Sequence, residues 1–158
     1  MKVSLVSVGR PRPPLAEAIA HYEGRISHYF AFEVHEVKEG GKRGDAAGRV
    51  VEEEGERLLA RVPRQNELVA LHRPGRAWSS EKLASYFSDA ALRSSPGVTF
   101  VIGGAFGLSR TVTDRADQLI SLSAMTFPHE LARLLLAEQI YRAGTILRGE
   151  PYHKGPLE

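Results

Sequence analysis

Apolar and polar positions along the chain follow two periods, and each period predicts one type of element. Residues 2–8 and 32–37 alternate apolar and polar side chains, as half-buried strands do. Residues 98–102 form a β-branched, apolar run typical of a central strand buried on both faces. Residues 67–71 and 118–122 are shorter apolar runs, and they predict two further strands.

Helical spacing fills the stretches between these strands. Helices are predicted over residues 15–28, 45–61, 79–92 and 128–147, with a short one after Ser109. Strands that alternate with helices indicate one α/β domain, with a mostly parallel sheet flanked by helices. No internal repeat or linker divides the chain, so residues 1–158 are predicted to form a single domain.

Polar residues mark several of the element boundaries. Side-chain oxygens placed just before a helix can accept hydrogen bonds from its first turn and so cap it. We expect this role for Asp45, for Ser79 or Ser80, and for Ser109. Thr126 fits the same role for the longest helix. Residues 73–75, Arg-Pro-Gly, are expected to stop the third strand.

Composition narrows the chemistry. The chain contains no cysteine, which excludes disulfides, thiolate zinc sites and cysteine nucleophiles and fits a reducing cytosol. No apolar run approaches the roughly 20 residues that a membrane span needs. The short apolar start resembles a strand more than a signal peptide, so we expect a cytoplasmic protein.

Charge gives a mild indication of a polyanionic partner. The formal net charge is +2 and the sequence pI is about 9.0. Four basic residues lie in proline- or glycine-rich loops, where they are candidates for phosphate contacts: Arg10, Arg12, Lys42 and Arg43. Ordinary solvated surface charge is the alternative for each of them.

A glycine turn after the central strand is the most informative segment. Residues 101–109 read Val-Ile-Gly-Gly-Ala-Phe-Gly-Leu-Ser, and they end an apolar strand before a helix. In open α/β sheets ligands bind outside the carboxyl ends of the strands, and glycine lets the backbone approach them closely. The dinucleotide fingerprint is absent because Ile102 stands where a glycine is needed. A tight turn without a ligand is the alternative.

A second segment, residues 122–129, leads from the last strand into the longest helix. It mixes small and apolar residues, so it predicts a compact loop with free backbone groups. Such a loop suits an adenine ring, which needs an apolar slot and a few backbone hydrogen bonds. A plain helix entry is the alternative.

Together these segments resemble one family, the ribosomal RNA large subunit methyltransferase H (RlmH) family of pseudouridine N3-methyltransferases, of the SPOUT class. The resemblance covers nearly the whole chain in order. It rests on the opening residues 1–9, the loop 41–44, the glycine turn 102–109, the segment 121–129, the helix residues 137–143 and the terminal residues 151–154.

This resemblance implies an α/β knot whose C-terminal part is threaded as a trefoil, with residues 148–158 as a polar tail. It implies a homodimer that uses S-adenosylmethionine to methylate N3 of a pseudouridine in helix 69 of 23S rRNA, in the assembled 70S ribosome. No DNA or membrane partner is expected. A sulfonium methyl is already activated, so no metal is expected either. The final residues 155–158 extend beyond the family's usual terminus and are given no role.

Site residues carry over from the family by motif. The methyl donor is expected to contact the backbone of Leu71, Gly103, Gly104, Leu122, Ser123, Ala124, Met125, Thr126 and Phe127. The chain departs from the family at Ala105-Phe106, where some relatives carry Pro-Glu, so no catalytic carboxylate is assigned there.

Catalytic candidates lie mainly near the C-terminus. Histidine titrates near neutral pH, so His153 is a candidate acceptor for the N3 proton. Tyr152, His153 and Lys154 form an expected substrate-binding tail that reaches across a dimer interface, and a frayed terminus is the alternative.

Three helix residues complete the predicted site. Glu138 and Arg142 have the spacing of a helix ion pair, with either a functional or a purely stabilising role. His129 is expected to contact RNA or simply to begin the helix.

Two other functions remain open from the residues. A noncatalytic RNA-binding module would keep the scaffold but bind no S-adenosylmethionine. A small nucleotide-dependent oxidoreductase is disfavoured because the chain has no dinucleotide fingerprint and no acidic residue placed to hold a ribose.

Overall fold

Five parallel strands form one sheet in the computed structural model, which describes residues 1–153. The strands are β1 (Lys2–Val8), β2 (Ala31–Val37), β3 (Glu67–Ala77), β4 (Gly97–Ile102) and β5 (Gln118–Ser121). Their order across the sheet is β2-β1-β4-β3-β5. The helices are α1 (Leu15–Ile26), α2 (Ala47–Ala60), α3 (Ser80–Leu92), α4 (Arg110–Arg115) and α5 (His129–Leu147), followed by a 3₁₀ turn at Pro151–His153. The predicted α/β class with a parallel sheet is confirmed.

Hydrophobic cores lie on both faces of the sheet. Val3 and Leu5 of β1 pack with α1, α3 and α5, whereas Val6 and Val8 pack with α2 and α4. Residues 98–102 of β4 are buried throughout, as the unbroken apolar pattern predicted. Burial of each large apolar side chain stabilises the fold by roughly 1.5–3 kcal/mol, which keeps the strand ends in fixed positions for a site.

Two predicted helix caps are confirmed and two are wrong. The Ser79 hydroxyl accepts a hydrogen bond from the Lys82 N–H at 3.0 Å, and Ser109 caps α4 in the same way. Asp45 does not cap α2, because its carboxylate accepts from the Lys42 N–H at 2.6 Å and closes the preceding turn. Thr126 does not cap α5, which begins after Pro128 without a side-chain cap.

Strand β3 does not stop at Pro74 and Gly75 as predicted. Leu71 and Arg76 both pair with Ile120 of β5. A strand residue has one neighbour on each side, so two segments of β3 flank β5 and residues 72–75 pass across it. A β-carbon on Gly75 would lie 2.6 Å from the Leu119 carbonyl oxygen, which explains the glycine at this crossing. The trefoil knot itself stays a prediction.

In the described chain, residues 1–153, no helix is long and apolar enough to cross a membrane.

Candidate active site

A cavity of about 470 Å³ opens at the carboxyl ends of β3, β4 and β5. Three loop segments and the start of α5 line it; the loop segments are the end of the first half of β3, the glycine turn after β4 and the loop after β5. Of the residues expected to contact the methyl donor, those that line the cavity are Leu71, Gly103, Gly104, Leu122, Ser123, Met125, Thr126 and Phe127. Ala124 is exposed and is not among the lining residues. The chain thus brings together segments that lie far apart in sequence.

The glycine turn is narrow because backbone segments touch at two positions. A β-carbon on Gly103 would lie 2.7 Å from the Gly107 carbonyl oxygen. Gly107 has a φ of 83°, in the left-handed region that favours glycine, and its N–H donates to the Gly104 carbonyl at 3.1 Å. The turn therefore holds its two central residues, Ala105 and Phe106, outward.

Glu54 supports this turn from behind, and the sequence pattern gave no sign of it. The Glu54 side chain is buried, and a β-carbon on Gly104 would lie 2.9 Å from both of its carboxylate oxygens. Its Oε2 accepts from the Gly40 N–H at 3.1 Å, whereas Oε1 has no hydrogen-bond partner within the described residues. Helix α2 thus touches both the cavity wall and the loop after β2.

The loop after β2 carries the predicted basic residues Lys42 and Arg43. Glu53 accepts from the Gly41 N–H at 2.7 Å, and this bond holds the pKa of the Glu53 carboxyl below its ordinary value. Arg57 donates to the Glu39 carbonyl at 2.8 Å. The backbone of the loop is held in this way, and the Lys42 and Arg43 side chains are exposed. Like the cavity, they lie at the carboxyl ends of the strands.

The loop after β5 keeps most of its backbone groups free. Among the described residues, its hydrogen bonds run from Ser121 Oγ to the Ser123 carbonyl at 2.8 Å and from the Met125 N–H to Ser123 Oγ at 3.0 Å. Apolar walls from Leu71, Ile120 and Phe127 lie beside these free groups. An apolar slot with free backbone donors and acceptors fits an adenine nucleoside, and the volume lies within the range of small-molecule sites.

His129 lies at the cavity, as part of the predicted RNA-contacting set. A β-carbon on Gly9 would lie 3.6 Å from His129 Nε2 and 3.4 Å from Glu39 Oε1, so these two side chains flank the end of β1. Arg10 follows Gly9 and is exposed. Arg10 and His129 therefore belong to the same end of the sheet as the cavity.

The predicted catalytic residues form a second cluster, on α5. Glu138 Oε1 accepts from Arg142 Nη2 at 2.6 Å and from the Tyr152 hydroxyl at 3.1 Å, and Gln139 donates to Oε2 at 2.7 Å. Burial raises the pKa of Tyr152, and the bond to Glu138 raises it further. Tyr152 is therefore a protonated hydrogen-bond donor at neutral pH rather than a base. The His153 side chain and Lys154 lie outside the described residues.

Within one protomer, the cluster around Glu138 lies away from the cavity. Helix α5 begins at His129 beside the cavity and runs away from it. At a rise of about 1.5 Å per residue, Glu138 and Arg142 lie roughly 14 Å and 20 Å along the axis from His129. None of Glu138, Arg142 and Tyr152 lines the cavity. Within residues 1–153, no three His, Asp or Glu side chains are grouped to hold a metal ion.

The chain is similar in sequence to known methyltransferases. The sequence profile of a family described as "Predicted SPOUT methyltransferase" matches residues 1–153. A protein of Gemmatimonas aurantiaca named ribosomal RNA large subunit methyltransferase H is 48% identical over 155 residues, covering 98% of this chain and all of the relative. A protein of the same name from Carboxydothermus hydrogenoformans is 43% identical over 159 residues, covering 98% of this chain and 100% of the relative.

A solved structure also resembles the fold. The crystal structure of a probable methyltransferase from Bordetella pertussis Tohama I matches with a TM-score of 0.53 and 13% sequence identity. The match covers 89% of this chain and 95% of that chain. At this identity the likeness concerns the fold alone.

Proposed function

Because this chain belongs to the SPOUT methyltransferase family, among its ribosomal RNA large subunit methyltransferase H members, we propose that it transfers a methyl group from S-adenosylmethionine to large-subunit ribosomal RNA. The observation that carries the proposal is the cavity at the ends of β3, β4 and β5. Its walls are the segments that the motifs assign to the donor, in a chain that matches named methyltransferases over nearly its full length.

The finer target follows from the family resemblance. The proposed acceptor is N3 of a pseudouridine in helix 69 of 23S rRNA, within the assembled 70S ribosome. A chain with a net charge of only +2 has little charge with which to hold an RNA tightly by itself, and phosphate contacts do not select one sequence. Ribosome shape around an accessible base would supply the rest of the specificity.

Donor binding uses the backbone of three loops. Bound S-adenosylmethionine supplies a methyl group already activated by its sulfonium. Gly103 and Gly104 present backbone at the cavity wall, and the apolar Leu71 and Phe127 exclude water from it. The protein's part is to align the base nitrogen with the methyl group, which lowers the barrier through orientation.

Proton removal is assigned to a second copy of the chain. The N3–H of the base is imide-like and mildly acidic, so a residue near neutral pKa suffices to accept its proton. Tyr152 bonds Glu138, roughly 14 Å along α5 from His129, and it does not line the cavity of its own chain. We therefore infer a homodimer in which Tyr152 orients the substrate and His153 accepts the proton in the partner's cavity.

We propose that RNA contacts the loops at the carboxyl ends of the strands, where the cavity opens. Arg10, Lys42 and Arg43 are exposed there, and phosphate contacts from such residues add affinity and register without reading sequence. His129 lies between these basic loops and the cavity wall, so it would contact the RNA close to the reacting base. Lys154 is proposed as a further phosphate contact.

The test is methyl transfer from labelled S-adenosylmethionine to ribosomes that lack the modification, with free 23S rRNA alongside. Mass spectrometry of the digested rRNA then locates the methyl group. We expect label at the helix 69 pseudouridine on ribosomes and none on free RNA. Transfer to another nucleotide would contradict the finer target, and donor binding without transfer to any rRNA would overturn the proposal. RNA binding without donor binding would favour the noncatalytic module.

A further inference from the structure

Phe106 is an exposed aromatic side chain held at the mouth of the cavity. It lines the cavity and is 59% exposed. The Gly104–Gly107 bridge fixes its backbone from both sides, and the Glu54 carboxylate of α2 lies against Gly104. The structure therefore presents a phenyl ring to solvent from a rigid support.

Exposure alone does not indicate a role, and Leu92 shows why. Leu92 is 82% exposed at the end of α3, but it lines no part of the cavity. Phe106 differs because Met125, 74% exposed, lies on the loop that forms another wall of the same cavity. The two apolar side chains thus border the opening through which an acceptor must approach a donor held inside.

The charges near this opening indicate which kind of acceptor fits. Arg73 is exposed and lines the cavity, and Arg110 is exposed at the start of α4, directly after the glycine turn. An apolar surface bordered by cations suits a nucleic acid, whose phosphates contact the cations while its bases stack on the aromatic ring. An unstacked base is the RNA feature that such a surface binds best.

We propose that Phe106 is the stacking platform for the base that receives the methyl group. This inference rests on the proposed function and adds a positioning residue that the motifs did not assign. Stacking holds the plane of the base against the turn, so that its reacting edge faces the cavity. Every base has a π face, so Phe106 contributes position and affinity but no base identity.

The test compares Phe106→Trp, Phe106→Leu and Phe106→Ala, with Leu92→Ala as the matched control for loss of an exposed apolar side chain. The kcat/KM for unmodified ribosomes is measured by methyl transfer, and the dissociation constant for S-adenosylmethionine is measured by calorimetry. We expect Phe106→Ala to lower kcat/KM by roughly 10- to 100-fold, as base–aromatic stacking energies imply. Phe106→Trp should stay near wild type, Phe106→Leu should fall between, and donor affinity should not change in any of them.

Several outcomes would overturn the platform. Unchanged kcat/KM in Phe106→Ala, or full activity in Phe106→Leu, would show that no aromatic ring is needed. A parallel loss of donor affinity would make Phe106 part of the donor wall instead. A shift to a smaller oligomer on gel filtration would make it a protomer contact. If wild type and Leu92→Ala both transfer no methyl group, the proposed function fails and the platform fails with it.

Discussion

Gly103 and Gly104 are adjacent in the cavity wall, but they exclude a side chain for different physical reasons. At Gly103 the obstacle is the Gly107 carbonyl, which is backbone and cannot move without opening the turn. At Gly104 the obstacle is the end of the Glu54 side chain, which can rotate away at the cost of its bond to the Gly40 N–H. The two glycines should therefore respond differently to the same added methyl group.

We predict that Gly103→Ala weakens S-adenosylmethionine binding by roughly tenfold or more, since overpacking costs about 1–3 kcal/mol where the backbone must shift. Gly104→Ala should weaken it less, because only a side chain moves. Calorimetric titration with S-adenosylmethionine measures both. Gly48→Ala in α2 is the control, because no neighbour lies within 4 Å of the new methyl group. Equal losses at Gly103 and Gly104 would contradict this account of the turn.

Single residues were predictable where their role is local. Ser79 and Ser109 cap helices as expected, because a serine before a helical run has a backbone N–H donor three residues ahead that its hydroxyl oxygen can accept from. Asp45 met the same local criteria but bonds backward to Lys42, and local sequence does not decide between two nearby donors. Glu54 was not predictable, because its role depends on Gly104, which only the folded sheet brings near.

At the scale of elements, α5 joins the two ends of the molecule that carry predicted function. Its first residue borders the cavity, and its last turns pack beside the tail residue Tyr152. Between these two ends of α5, the Arg133 side chain holds the helix in position. The Arg133 guanidinium is buried and bonds Glu23 of α1 at 2.7 Å and Glu36 of β2 at 2.6 Å. These bonds keep the pKa of Arg133 above its ordinary value against the effect of burial.

We predict that Arg133→Ala lowers the free energy of unfolding by about 2–3 kcal/mol, because it leaves two carboxylates without their cation. The loss should be below the roughly 3–5 kcal/mol of a fully buried pair, since Glu23 and Glu36 keep some access to water. Urea denaturation at one protein concentration measures it. Arg12→Ala, which removes the exposed Arg12–Glu130 pair, should change stability little. Equal effects of the two substitutions would show that burial of Arg133 does not matter.

Most elements could be predicted from periodicity, because buried strands and amphipathic helices leave opposite patterns. The second half of β3 could not. Pro74 and Gly75 are turn signals by their own chemistry, and here they serve a turn that returns the chain to the sheet on the far side of β5. Pairing with a strand over forty residues later leaves no trace in a local window.

At the scale of the whole molecule, the predicted site is divided between two places. The segments that the resemblance assigns to the methyl donor converge on one cavity, with Ala124 outside its lining. The predicted catalytic cluster lies around Glu138, and its distance from that cavity could not be read from the sequence, since spacing along a chain does not give separation in space. A symmetric dimer would bring each tail to the other protomer's cavity and create two equal sites.

This arrangement predicts complementation between two defective proteins. Tyr152→Ala damages the tail, and Gly103→Ala damages the cavity, so each homodimer should be strongly impaired when the donor concentration is held near the wild-type dissociation constant. When the two are mixed and allowed to exchange protomers, half of the dimers are mixed and each mixed dimer has one intact site. Activity on ribosomes should then recover to about a quarter of wild type. A mixture no more active than its components would show that tail and cavity act within one chain, and circular dichroism of each variant verifies that both are folded.

The crossing of residues 72–75 over β5 has a consequence for how the enzyme is made. Both flanking segments of β3 precede β5 in the chain and leave the ribosome first, so β5 can take its place between them only after it has itself emerged. Two of the three loop segments that line the cavity adjoin β3 and β5, so they meet only once β5 is in place. A nascent or truncated chain that lacks β5 therefore lacks one wall of the proposed donor cavity, and we expect it to bind S-adenosylmethionine far more weakly than the full chain.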